Sequence, residues 1–122
     1  FIFAFVPAIS CPPIPPLCDG VPMAVMNPLE MPVHNNLGGK GPDTGAETMV
    51  YPKAGSMDGQ EFDLVVAAVG DYQVNNLRYN GVKGEFGSVN ILDGTSAELS
   101  FSFVLTGTET PIDVANFAFT VY

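Results

Sequence analysis

The stretch Ala97-Glu98-Leu99-Ser100-Phe101-Ser102-Phe103-Val104-Leu105 alternates: Leu99, Phe101, Phe103 and Leu105 share one face, and Glu98, Ser100 and Ser102 the other. Side chains of a strand point to opposite faces in turn, so a period of two marks a half-buried antiparallel strand rather than a helix. Glu61-Phe62-Asp63-Leu64-Val65-Val66-Ala67-Ala68-Val69 places Phe62, Leu64, Val66 and Ala68 together in the same way. From Val114 onward, Phe117, Phe119 and Val121 alternate with Asn116, Ala118, Thr120 and Tyr122.

Between these segments lie Asp58-Gly59, Asn80-Gly81 and Asp93-Gly94. Such pairs tolerate the positive φ of a type I′ turn and so predict hairpins. Weaker strands are expected on either side of Asn80, with Gly84 and Gly87 marking a bulge or an edge. The expected strands are 48–51, 61–69, 77–79, 85–92, 97–105 and 114–122, with no convincing helix. One aromatic or aliphatic face per long strand predicts an all-β chain, an antiparallel β-sandwich of the jelly-roll or immunoglobulin-like kind. Six strands are few for a sandwich, and the sequence stops at Tyr122 directly after a patterned strand. A continuation of the polypeptide, or an open edge covered by the N-terminal arm or a partner, is therefore expected.

The whole chain has 122 residues, 47% hydrophobic and 14% charged, which suits one small domain. Thirteen acidic against four basic residues give a formal charge of −9, so a nucleic-acid groove or an anionic-membrane patch built on clustered Lys and Arg is not expected. Ten of the eleven prolines fall within the first 52 residues. Each removes a backbone donor and fixes φ, so residues 1–48 read as an extended, proline-rich arm ending in a Gly-rich loop, and residues 49–122 as the β-sandwich domain. Apolar residues interleave with those prolines, among them Ile14, Leu17, Met23 and Met26, whereas a flexible linker would be more polar. These four, with Phe1, Phe3 and Phe5, are the expected partner-binding residues.

Phe1-Ile2-Phe3-Ala4-Phe5-Val6 is an apolar run of six. As a helix it would cover about 9 Å, against about 30 Å for a bilayer core, so it spans no membrane alone. It reads either as the remnant of a targeting segment within residues 1–10 or as a retained stretch that must be covered. Cys11 and Cys18 flank Pro-Pro-Ile-Pro-Pro-Leu. Straight polyproline would separate them by about 22 Å, whereas a disulfide needs Cα atoms within about 7 Å. A bridge between them, the pairing favoured in an exported protein, requires the segment to double back; reduced or intermolecular thiols are the alternative.

Catalytic signals are scarce. His34 is the single histidine, sits in the proline-rich half, and has no Gly-x-Ser-x-Gly elbow to serve. Carboxylate pairs such as Glu61 with Asp63 fit exposed strand acids better than a glycosidase pair. No enzyme and no zinc site are expected. Calcium is the candidate cofactor, because the loop from Asn35 to Glu47 offers Asn36, Asp43 and Glu47 as hard oxygen ligands beside loop carbonyls, although not at EF-hand spacing. A turn-rich loop whose glycines serve conformation is the competing reading.

The series Asn35-Asn36-Leu37-Gly38-Gly39-Lys40-Gly41-Pro42-Asp43-Thr44-Gly45-Ala46-Glu47, then Gly59-Gln60-Glu61-Phe62-Asp63-Leu64-Val65-Val66, then Phe86-Gly87-Ser88-Val89-Asn90, Gly94-Thr95-Ser96 and Phe101-Ser102-Phe103-Val104, closing on Phe117-Ala118-Phe119-Thr120-Val121-Tyr122, resembles a recurrent β-rich module of exported proteins in unicellular algae. Looser relatives occur in bacterial surface proteins. The resemblance covers residues 35–122 and implies fold and export, with no activity attached. Relatives continue with an acidic Asp-x-Asp stretch after the last strand, which this sequence does not contain, and that weighs against a complete calcium site.

The expected function is a noncatalytic, extracytoplasmic structural subunit. Its sandwich docks on a larger protein assembly, membrane-associated or not, while the arm binds neighbouring proteins. An accessory lumenal subunit of a thylakoid photosystem supercomplex is the specific form that an algal lineage suggests. The alternative is a secreted, cell-surface adhesion or carbohydrate-binding module, calcium dependent, with a glycan as ligand.

Overall fold

The structure, a computed structural model, describes residues 2–6, 24–114 and 118–121. Among them it is all-β, built of two antiparallel sheets and two short 3-10 turns, Leu37–Gly39 and Leu77–Tyr79. The strands are β1 (Ile2–Val6), β2 (Val25–Met26), β3 (His34–Asn35), β4 (Thr48–Met57), β5 (Gln60–Val69), β6 (Gly81–Lys83), β7 (Phe86–Ser88), β8 (Glu98–Leu105) and β9 (Ala118–Val121). One sheet has the order β6-β7-β1-β9; the other has β2-β4-β5-β8, with β3 also on β4.

The two segments with the cleanest alternation form the centre and one side of the larger sheet. β5 pairs with β8 in unbroken register from Phe62 opposite Leu105 to Val69 opposite Glu98. Phe62, Leu64 and Val66 are fully buried, and Phe103 packs edge-on against Phe62 with ring centroids 5.0 Å apart. Asp58-Gly59 is the hairpin turn expected of it, with positive φ at both residues (53° and 77°) between β4 and β5.

Two other turn signals do different work. Asn80 is extended (φ −85°, ψ 120°) and closes the 3-10 turn Leu77–Tyr79, which stands where a strand was expected. Asn76 causes this: its side chain accepts the Arg78 N–H at 3.0 Å and its carbonyl the Tyr79 N–H at 3.1 Å. The hairpin joining β6 to β7 turns at Gly84-Glu85 instead, and Asp93-Gly94 turns within the connection from β7 to β8, where the Thr95 N–H reaches the Leu92 carbonyl at 3.1 Å. The strand expected over 85–92 stops at Ser88, because Asn90 bends away to receive the N–H groups of Asn75 and Asn76.

The irregularity expected at Gly84 and Gly87 lies in β4. Tyr51 opposes Leu64 and Gly55 opposes Phe62, so three residues of β4 face the single Asp63 of β5. Asp63 is buried there, and one carboxylate oxygen accepts both the Lys53 N–H at 2.9 Å and the Thr106 hydroxyl at 2.7 Å. The bulge thereby supplies donors to a carboxylate that would otherwise be buried without partners.

Three short strands of residues 1–48, β1, β2 and β3, join the sheets, and the described residues between β2 and β4 are otherwise loop and a 3-10 turn. β1 lies between β7 and β9, with Phe3 opposite both Gly87 and Val121 and Phe5 opposite Phe119. Phe3, expected to meet a partner, is instead fully buried, in edge contact with Tyr51 (5.8 Å, 89°) and Phe101 (5.2 Å, 75°) of the facing sheet. Met26 is likewise consumed by the protein's own core. The reason is geometric: alternate side chains of a strand point into the layer between the sheets, and Phe3 of β1 and Met26 of β2 stand on that side. Phe1, Cys11, Ile14, Leu17, Cys18 and Met23 lie outside the described residues.

Truncating Phe3 removes two of the aromatic contacts that join the sheets, those to Tyr51 and Phe101. Phe3→Ala is expected to lower stability by about 3–5 kcal/mol in urea unfolding. A loss below ~1 kcal/mol would show that β1 is not integral to the core.

Candidate functional site

The Gly-rich loop from Asn35 to Glu47 brings the three proposed calcium ligands into one region but commits two of them elsewhere. Asn36 is buried, donates through Nδ2 to the carbonyls of Gly45 (3.0 Å) and Ala46 (3.3 Å), and accepts the Gly41 N–H on Oδ1 at 2.9 Å. Asp43 accepts the Asn35 N–H on Oδ2 at 2.7 Å, while its own N–H donates to the Asn35 carbonyl at 2.9 Å. The Glu47 carboxylate lies over Gly39, where an added Cβ would meet Oε1 at 2.8 Å. Backbone donors thus occupy Asn36 Oδ1 and one of the two carboxylate oxygens of Asp43. Among the described residues, no three His, Cys, Asp or Glu side chains form a metal-holding group. His34 Nε2 is 2.7 Å from the Ala46 carbonyl, which ties it to the same loop.

A second polar cluster was not apparent in the sequence. Tyr72 donates its hydroxyl to the Asn90 carbonyl at 2.5 Å and receives Nδ2 of Asn80 at 3.0 Å. Asn80 Oδ1 takes the Asn90 N–H at 2.7 Å, and the Asn80 carbonyl takes Nδ2 of Asn35 at 3.2 Å. Burial raises the Tyr72 phenol pKa, with the Asn80 hydrogen bond acting in the opposite direction. Tyr51, whose hydroxyl donates to the Gly81 carbonyl at 2.6 Å, is pushed well above the ordinary tyrosine range by burial. Neither phenol has a nucleophile or an acid beside it in these bonds. The arrangement therefore serves to satisfy buried polar groups. Scattered asparagines carry no spacing signature, which is why the cluster was invisible before folding.

The feature with the character of a binding surface is the outer face of the larger sheet. β5 turns Phe62, Leu64 and Val66 inward, so Val65, Ala67 and Val69 face outward. Val50 stands opposite Val65 on one side, and on the other Val104 lies two positions along β8 from Ser102, the residue opposite Val65. With Ala46, Thr48, Thr108 and Glu109 these valines line a shallow hollow of about 210 Å³. A second hollow of similar volume is lined by Ile91, Ala97, Leu99 and Phe101.

If the loop is held by its own hydrogen bonds, Asn36→Ala is expected to cost about 1–3 kcal/mol in urea unfolding with a chelator present, and added calcium should not change that loss. Full recovery of stability by calcium would reassign the loop as a metal site. No family model, curated protein or solved structure matches the sequence.

Proposed function

We propose that the protein is a noncatalytic structural subunit of a larger extracytoplasmic assembly, docked through the outer face of β5. The observation that carries this reading is the apolar content of both faces of one strand. Leu64-Val65-Val66-Ala67-Ala68-Val69 is an unbroken apolar run, the composition of a strand covered on two sides. Its inner side is covered by the protein itself, while Val69 is 49% exposed and Val65 floors the hollow with Val50 and Val104. An outer sheet face left to water would carry polar residues, as β8 does at Glu98, Ser100 and Ser102.

In this proposal the two sheets are a β-sandwich with Greek-key connections of the jelly-roll or immunoglobulin-like kind; the return of β9 to lie beside β1 supports it. The proline-rich segment binds neighbouring proteins, a reading that rests on its composition. Export rests on the resemblance to algal exported modules, and a thylakoid lumenal supercomplex is the host that this lineage suggests. A secreted glycan-binding or adhesion module is the second reading, favoured by Tyr79, whose side chain is 61% exposed and offers an aromatic face to a sugar.

Val65→Lys puts a charge in the hollow while leaving the core intact, so its unfolding midpoint should shift by no more than about 0.5 kcal/mol equivalent. On native gels of the source compartment the wild-type protein is expected in a high-mass band and the variant in a free one. Wild-type protein migrating alone would sink the subunit reading. For the second reading, a glycan array should give binding that Tyr79→Ala abolishes; a blank array with and without calcium removes it.

A further inference from the structure

We infer that Asn80-Gly81 is a covalent modification site, a deamidation site that the fold holds shut and that opens when the segment around it unfolds. It is the single Asn-Gly dipeptide in the sequence. Its intrinsic chemistry follows from the glycine. The Gly81 backbone nitrogen, unshielded by any side chain, can attack Cγ of Asn80. The Gly81 nitrogen gives up its proton to solvent base, the new N–Cγ bond forms, and the Cγ–Nδ2 bond breaks as Nδ2 takes up a proton and leaves as ammonia, so that a succinimide results. Water then opens either ring carbonyl, giving aspartate or isoaspartate, so the balance is one water consumed and one ammonia released.

The structure blocks each part of that step. Asn80 is 4% exposed, and Nδ2 and Oδ1 of its side chain are both engaged, by the Tyr72 hydroxyl at 3.0 Å and the Asn90 N–H at 2.7 Å. With ψ at 120°, the stereochemistry of an L residue turns the Gly81 nitrogen away from the Cβ side of Cα. Ring closure needs rotation about that bond. The rotation is opposed on both sides: the Asn80 carbonyl is held by Asn35 and the Gly81 carbonyl by Tyr51, while β6 pairs Gly81 with Ser88. The reactive geometry is therefore reached only from a locally open state, and the reaction rate should follow the population of that state.

The same two residues are required by the fold, so the hazard is built in. Gly81 has φ +146°, a region that a residue with Cβ adopts only under strain. Asn80 must both donate and accept, which aspartate does not do. Aspartate at position 80 puts a carboxylate in a buried site and removes the donor to Tyr72. Isoaspartate lengthens the backbone by one atom at the start of β6 and displaces the Gly81–Ser88 register. Each product thus opposes reclosure, which makes the modification a one-way record of opening.

The test compares the full wild-type protein in native buffer and in denaturing urea, both at mildly alkaline pH, by peptide mass spectrometry that separates aspartate from isoaspartate. In urea, Asn80 should convert faster than every other asparagine. In native buffer its conversion should be slower by at least about a hundredfold, the ratio expected if opening costs ~2.8 kcal/mol. Tyr72→Phe should raise the native rate by roughly tenfold or more and leave the urea rate unchanged. Equal native and urea rates, or another asparagine outpacing Asn80 in urea, would overturn the inference. A native rate unmoved by Tyr72→Phe would overturn the guarding role assigned to the tyrosine.

Discussion

The ring of Phe3 is the contact on which the two-sheet arrangement depends. β1 is central to the smaller sheet, and without it that sheet falls apart into β9 and the β6-β7 hairpin, whose strands have three residues each. A two-stranded ribbon of that length is not stable in water alone. Phe3 makes β1 indispensable by reaching across to Tyr51 and Phe101 of the facing sheet while packing against Phe119 of its own. The ring needs room, and Gly87 provides it: a Cβ there would collide with Phe3 and come within 2.9 Å of Leu29. Phe3 and Gly87 sit opposite each other in the β1–β7 register, so the glycine that looked like a bulge or edge signal is the floor under an aromatic ring.

Tyr51 adds a polar tie to the same layer. Its ring meets Phe3 edge-on, and its hydroxyl crosses to the Gly81 carbonyl at the start of β6, so one side chain links β4 to the far edge of the opposite sheet. Hydrogen bonds of this kind add little net stability when made but are costly to leave unmade in a buried site. The other internal polar groups follow that rule. Asp63 is satisfied by a bulge and a threonine, and Asn80 by Tyr72 and Asn90. Among the described residues, Asn35 Oδ1 is the one buried side-chain atom without a partner.

Where alternation was strict, in β8, the sequence was legible down to which side chains face inward, because period two has one structural meaning when one face must be buried; in β5 the larger side chains Phe62 and Leu64 carried the same signal beside Asp63. The Asp58-Gly59 turn was legible for a similarly local reason. Asn80-Gly81 was not, since Asn76 captures the preceding residues in a 3-10 turn through bonds that a dipeptide rule does not see. β1 shows the limit most clearly. Six apolar residues carry no periodic signal, and their place between β7 and β9 is set by pairing with residues more than eighty positions away. In the loop of Asn36, Asp43 and Glu47 the sequence does not say which oxygens receive backbone N–H groups, because the oxygens that suit a cation suit those donors as well.

What remains after folding is one strand whose composition exceeds what the fold uses. β5 satisfies its inner face with Phe62, Leu64 and Val66 against Phe103 and the rest of the core. Nothing in that packing calls for Val65, Ala67 and Val69 on the opposite side, and β8, one strand away, meets the same conditions with serines. Solvent selects against an apolar outer face only weakly for single residues but more strongly for a contiguous strip, since such strips promote association. Acids stand at the ends of that strip, Asp63 and then Glu61 at one and Glu98 at the other, and Glu109 borders the hollow. An apolar centre with a charged rim is how an interface is built when it must be dry in the middle and tolerant of water at its border. In a protein with four basic residues the rim charge is almost all of one sign, so the docking proposed for this face calls for a partner that brings cations to the edge and aliphatic side chains to the centre rather than a second identical copy.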